Sequence, residues 1–120
     1  MTFLINFDVK INDNNYYSPK AMVFDKTDVK GDDIFATKPV IMFEILTHKN
    51  KHLLNAKFEH YQKIDTLQEY VLVDLNNPQI LVYRKDNHWQ KELLSFDDKL
   101  YLKSVDYTVK VADIYENIEF

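Results

Sequence analysis

Apolar and polar residues alternate through the first dozen positions, where Phe3, Ile5, Phe7, Val9 and Ile11 recur every second residue and Leu4 is the one exception. A period of two sends successive side chains to opposite faces of a sheet, so this stretch predicts a half-buried strand. Asn12, Asp13, Asn14 and Asn15 follow, with short polar side chains that tolerate turn conformations, and Ala21 to Phe24 carry the chain back. Residues 3–25 are therefore expected to form one hairpin. Residues 25–38 are polar, include four aspartates and Gly31, and predict a loop with a short turn.

The pattern then changes. Residues 40–46, VIMFEIL, are too continuously apolar for a strand with one wet face and predict a central strand covered on both sides. Over 50–64 the apolar positions Leu53, Leu54, Ala56, Phe58, Tyr61 and Ile64 take helical spacing, with no proline or glycine to interrupt them. Two further strands are predicted over 70–75 and 80–84, joined by a turn at Asn76, Asn77, Pro78 and Gln79. The tail from Leu100 alternates weakly, and 111–115 predicts one or two helical turns. Together these elements predict an α/β fold: a mixed central sheet built from the hairpin, the 40–47 strand and the 69–84 pair, with the 50–64 helix packed on one face. The length suits a single domain spanning 1–120.

Composition narrows the chemistry. With 46% apolar and 28% charged residues the chain resembles a soluble globular domain, and no run approaches the roughly 18 apolar residues of a membrane span. The opening MTFLINFDVK lacks a basic region followed by an apolar stretch, so a cytoplasmic location is expected. The absence of cysteine removes thiol catalysis and disulfides, and leaves oxygen or imidazole as metal ligands. One glycine, Gly31, excludes a glycine-rich phosphate cradle. A net charge of -4 argues against a broadly basic nucleic-acid surface, but not against a nuclease, whose centre is itself acidic.

Two charged residues stand where a plain core would have none. Glu44 sits inside the central apolar strand, and burying an ionised carboxylate costs several kcal/mol unless a cation, donors or a metal compensate it. Lys57 lies in register with Leu53, Tyr61 and Ile64, on the helix face expected to pack inward. It either snorkels to water or serves as a cation beside a reacting phosphate. His48 and His52 are four apart but have no acidic residue placed between them as in HExxH, so they carry little metal signal; no serine or threonine sits in a nucleophile elbow.

Six segments then occur in a familiar order: FDVKI at 7–11, YSPKAMVF at 17–24, VIMFEILT at 40–47, KFEHY at 57–61, LQEYVLVD at 67–74 and ILVYR at 80–84. In that order and spacing the chain resembles the Uma2 family of restriction-endonuclease-like proteins, a branch of the PD-(D/E)XK nuclease superfamily. The resemblance implies a restriction-endonuclease-like core. It also implies Mg2+- or Mn2+-dependent hydrolysis of DNA, with Glu44 as metal ligand and catalytic residue, Lys57 orienting or deprotonating the attacking water, and Tyr61 in support. One family position departs: Pro19 is followed by Lys20 where the family has its metal-binding aspartate, a change of two charge units that opposes a cation. Leu53 likewise replaces an aspartate common in the family.

Asp25 is the candidate substitute ligand, although a regular strand would place it on the face opposite Lys20; Asp8 falls on the polar phase of its own strand. The family's N-terminal helix and strand are expected to be missing, which would leave a sheet edge or face open and favour a homodimer. Two functions follow from the resemblance. One is a metal-dependent endonuclease; the other is a noncatalytic binding or oligomerisation module in which Lys20, Glu44 and Lys57 form a buried charge cluster.

Overall fold

In the computed structural model, the structure describes residues 2–5, 8–12, 15–17, 21–24, 35–36 and 39–117, and describes side chains over 39–116. Its main body is a six-stranded sheet, ordered β1 (Thr2–Ile5), β4 (Ala21–Phe24), β6 (Pro39–Leu46), β7 (Glu69–Asp74), β8 (Gln79–Arg84) and β9 (Lys91–Ser95). The strand expected to be central, β6, lies inside this sheet, antiparallel to β4 and parallel to β7. A parallel pair cannot be closed by a tight turn, and the helix α1 (Lys51–Tyr61) supplies the crossover. The flanking β7–β8 and β8–β9 pairs are antiparallel.

Both faces of the sheet are covered, which is why β6 and β7 read as nearly unbroken apolar runs. Under α1, Met42, Tyr70, Leu72 and Leu81 pack with Leu54 and Tyr61 of the helix and with Ile64 and Leu67 just beyond it. On the opposite face, Ile41, Phe43, Val71, Val73, Ile80 and Val82 meet Leu100, Leu102, Val111 and Ile114. That second layer is built from β10 (Lys99–Leu102), β11 (Tyr107–Lys110) and α2 (Val111–Asn117), with β10 and β11 paired antiparallel. Among the described residues no helix is long and apolar enough to cross a membrane.

Three expectations need correction. The alternating segment 3–11 is not one strand: β1 pairs with β4 in the main sheet, whereas β2 (Asp8–Asn12) pairs with β3 (Asn15–Tyr17) and, in parallel, with β5 (Phe35–Ala36). Alternation reports which face each residue takes, and it is blind to a strand changing partners midway. The helix ends at Tyr61, and its next residues tighten into i→i+3 bonds, from Lys63 N to His60 O and from Ile64 N to Tyr61 O. This swings Ile64 and Leu67 into the core. Leu53 and Ala56 are exposed, so the inward face runs through Leu54, Phe58 and Tyr61 at i, i+4 and i+7. β9, short and half-exposed, is not among the elements expected before the tail; the weakly patterned tail from Leu100 carries most of β10 and all of β11, and its predicted helical turns form α2.

Candidate active site at Glu44, Lys57 and Tyr70

Glu44 lies on the α1 side of β6, in the same phase as Met42 and opposite Leu72 of β7 in the parallel register. It is only 4% exposed. The helix is held over it by Asn50, whose side chain accepts from the Thr47 amide at 2.8 Å and donates to the Ile45 carbonyl at 2.8 Å. That brace between the end of β6 and the first helical turn places Lys57, two turns along α1, above the strand. Lys57 Nζ stands 3.5 Å from Glu44 Oε2, with its side chain 14% exposed. The residue expected to face inward does so, and it reaches the carboxylate.

A third group, not singled out from the sequence, completes the cluster. Tyr70 of β7 is buried, and its hydroxyl donates to the same Glu44 Oε2 at 3.4 Å. Two donors from two elements thus converge on one carboxylate oxygen, which restricts how the carboxylate can rotate. Burial, followed by the negative charge of Glu44, pushes the Tyr70 phenol well above its ordinary value, so at neutral pH it keeps the proton that it donates to the carboxylate. Its ring is fixed by stacking on Phe58 at 5.0 Å and by an edge contact with Tyr61 at 5.5 Å. Tyr61, expected as a supporting residue, is fully buried and meets Tyr70 edge-on. The signal available for Tyr70 was its phase: two residues before Leu72 on a strand buried at all six positions, it had to face the helix.

The other expected members are distributed differently. Lys20 and Asp25 lie outside the described residues. β4 begins at Ala21, which pairs with Phe43, the neighbour of Glu44. Asp8 belongs to β2, in the three-stranded sheet rather than the sheet that carries Glu44. Among the described residues, no group of three or more histidine, cysteine, aspartate or glutamate side chains comes together. Glu44 therefore offers one hard oxygen donor group. That fits a magnesium-type ion, which retains several waters and commonly uses one or two carboxylates plus substrate phosphate oxygens.

A second buried carboxylate, also missed from the sequence, lies on the opposite face. Glu69 is 2% exposed and accepts from Arg84, from the Ser104 hydroxyl at 2.6 Å and amide at 3.0 Å, and from the Lys103 amide at 3.3 Å. Arg84 also donates to Glu92 at 3.2 Å. Glu69 thereby ties the start of β7 to the segment that follows β10. A third, Asp74, organises the β7–β8 turn by accepting from the amides of Asn76 at 2.8 Å and Asn77 at 3.3 Å and from the Gln79 side chain at 3.1 Å. Both have structural partners throughout.

Comparison with known proteins agrees with this architecture. The family model "Uma2: Putative restriction endonuclease" matches residues 1–110. An uncharacterized protein from Synechocystis sp. is 31% identical over 122 residues that cover 96% of this chain; the chain spans 64% of the length of that curated relative. A crystal structure of a putative nuclease belonging to DUF820, from Anabaena variabilis, superposes with a TM-score of 0.76 at 17% identity, over 95% of this chain and 67% of that one. That structural likeness establishes the fold, a mixed sheet with a helix packed on it.

Proposed function

Because the chain belongs to the Uma2 family, we propose that it is a restriction-endonuclease-like hydrolase of DNA phosphodiesters, centred on Glu44, Lys57 and Tyr70. The observation that carries this reading is the convergence of an ammonium and a phenol on one oxygen of a buried carboxylate, at 3.5 and 3.4 Å. Contacts this long lie beyond the usual 2.7–3.2 Å range of a hydrogen bond. From two different elements they help to orient the carboxylate.

Glu44 would hold Mg2+ or Mn2+. Such an ion, when bound, supplies charge neutralisation at the scissile phosphate and acidifies water. Tyr70 remains protonated and keeps the carboxylate in one orientation. The Lys57 side chain is partly exposed at the end of a flexible stem, so its ammonium can move from Glu44 toward a phosphate oxygen or the attacking water and stabilise negative charge as it develops.

One sequence observation favours a second reading. Lys20 follows Pro19 where the family has an aspartate, and an ammonium there would compete with a cation for Glu44. On this reading the fold serves as a noncatalytic binding or oligomerisation module. Calorimetric titration of the purified protein with Mg2+ and Mn2+, run beside Glu44→Gln and paired with DNA cleavage assays, separates the two. The hydrolase reading expects saturable metal binding and metal-dependent cleavage, both lost in Glu44→Gln. Absence of binding by the wild type at millimolar metal, together with absence of cleavage, would leave the noncatalytic reading.

A further inference from the structure

We infer that the face on which Phe58, Tyr83 and Trp89 lie between Lys57 and Lys91 seats an unpaired nucleobase of a DNA substrate. The inference rests on the reading of the chain as one that acts on DNA, and it assigns to that site a feature of its substrate: a single-stranded or locally unpaired nucleotide.

The aromatic groups run outward from the candidate site. Tyr70, which donates to Glu44, stacks on Phe58; Phe58 in turn meets Tyr83 at 4.6 Å and Trp89 at 5.7 Å in a T-shaped contact. Tyr70 is buried, whereas Phe58, Tyr83 and Trp89 are only partly buried at the margin of the core beneath α1. Cations flank them. Lys57 precedes Phe58 on α1, and exposed Lys91 pairs with Tyr83 across the β8–β9 ladder, which puts both on the α1 side of the sheet. Among the described residues, Lys91 makes no ion pair. Partly exposed aromatic residues interleaved with lysines able to reach a backbone are the chemistry of sequence-tolerant single-strand recognition.

The backbone carrying Trp89 is an independent observation. His88 and Trp89 have φ of 55° and 61°, consecutive left-handed residues with no glycine between them. This conformation is unfavourable for a bulky residue, and such outliers gather where a side chain is held for a purpose beyond packing. Bonds from His88 N to Lys85 O and from Trp89 N to Arg84 O hold the turn, and the turn aims the indole at Phe58.

The chain contains a single tryptophan, so its intrinsic fluorescence reports on this face alone. The experiment titrates the full chain with short oligothymidylate in the presence of a chelator, so that no hydrolysis occurs. Tryptophan emission is followed together with the anisotropy of a labelled oligonucleotide, and a blunt duplex of equal length serves as comparison. The expected result is saturable quenching by the single strand, weaker quenching by the duplex, and loss of affinity with added salt. Lys91→Ala should weaken binding severalfold, Trp89→Phe should retain most of it, and Trp89→Ala should weaken it roughly tenfold or more. If Trp89→Ala does not fold, the wild-type quenching and the exposed Lys91→Ala variant still decide the outcome.

Binding with unchanged tryptophan emission would place DNA elsewhere and overturn the inference, as would no binding at all. A blue shift that grows with protein concentration without DNA would also overturn it, because a second copy would then cover the face through exposed Leu93. Metal-dependent cleavage without quenching would sink this inference and leave the proposed activity standing. Quenching without cleavage would do the reverse.

Discussion

Glu44 and Glu69 are both buried glutamates on adjacent strands of one sheet, yet they face opposite layers and are held in different ways. Glu69 takes a guanidinium, a hydroxyl and two backbone amides, with contacts as short as 2.6 Å to Ser104. Glu44 meets Lys57 and Tyr70 on a single oxygen at 3.5 and 3.4 Å. A carboxylate buried for architecture is surrounded by donors that hold its charge in place, because an unmet charge in the interior is costly. One buried for binding, the role proposed for Glu44, must be oriented while staying available to a ligand. The fixed donors of Glu69 include backbone amides, which cannot move aside; Lys57 and Tyr70 meet Glu44 through side chains, and the lysine has a route to water.

The sharpest way to break this contrast is to neutralise each carboxylate and compare stabilities by urea unfolding. Glu69→Gln is expected to cost about 3 kcal/mol, since it leaves Arg84 short of charge compensation in a largely buried place. Glu44→Gln is expected to cost about 1 kcal/mol, because the amide still accepts from Tyr70 and the Lys57 ammonium can snorkel to solvent. Equal costs would mean that Glu44 is as structural as Glu69.

A smaller effect tests the phenol. The folded-state value of Tyr70 is raised by burial and by Glu44, so folding favours the protonated form. Its contribution is fully present below the unfolded tyrosine value of about 10 and is lost as pH rises above it. Tyr70→Phe should lower stability by about 1 kcal/mol at neutral pH and flatten the alkaline fall relative to wild type. An alkaline limb identical in both proteins would mean that Tyr70 ionises freely.

The smallest effect concerns a surface pair. Asp86 is held below the usual carboxylate range by the hydrogen bond from Lys103, and the pair is exposed. A lowered value contributes stability above the unfolded aspartate value of about 4 and loses it as pH falls, but solvent and salt screen it. Asp86→Asn should leave the unfolding midpoint unchanged within error, while an NMR titration of wild type finds this carboxyl shifted down. A clear loss of stability would show that surface charge matters to the second layer more than the contrast between the two buried glutamates allows.

Much of the frame was legible because burial leaves a strong mark on sequence. The β6 and β7 strands, buried on both faces, wrote themselves as apolar runs, and α1 as a stripe with one misplaced lysine. Glu44 and Lys57 stood out for the same reason, as charges among residues that exclude water. The failures share an opposite cause. β9, β10 and β11 carry half-exposed residues whose alternation is diluted by lysine, serine and threonine. Glu69 opens its strand, where a glutamate is unremarkable until Ser104, thirty-five positions later, is seen to contact it. Tyr70 looked like one more strand aromatic, since its hydroxyl's partner sits on another strand.

By itself, then, the sequence determined which segments must be covered, which two charges needed a reason to be buried, and the family to which their order belongs. Periodicity and charge placement are local properties, and they survive without coordinates. Long-range packing divides the segment 3–11 between two sheets, brings Lys57 and Tyr70 to one oxygen of Glu44, and assigns Glu69 to the architecture of the other face. Each of those depends on contacts between residues far apart along the chain, whose directions are set by strand register and helix docking rather than by neighbouring residues.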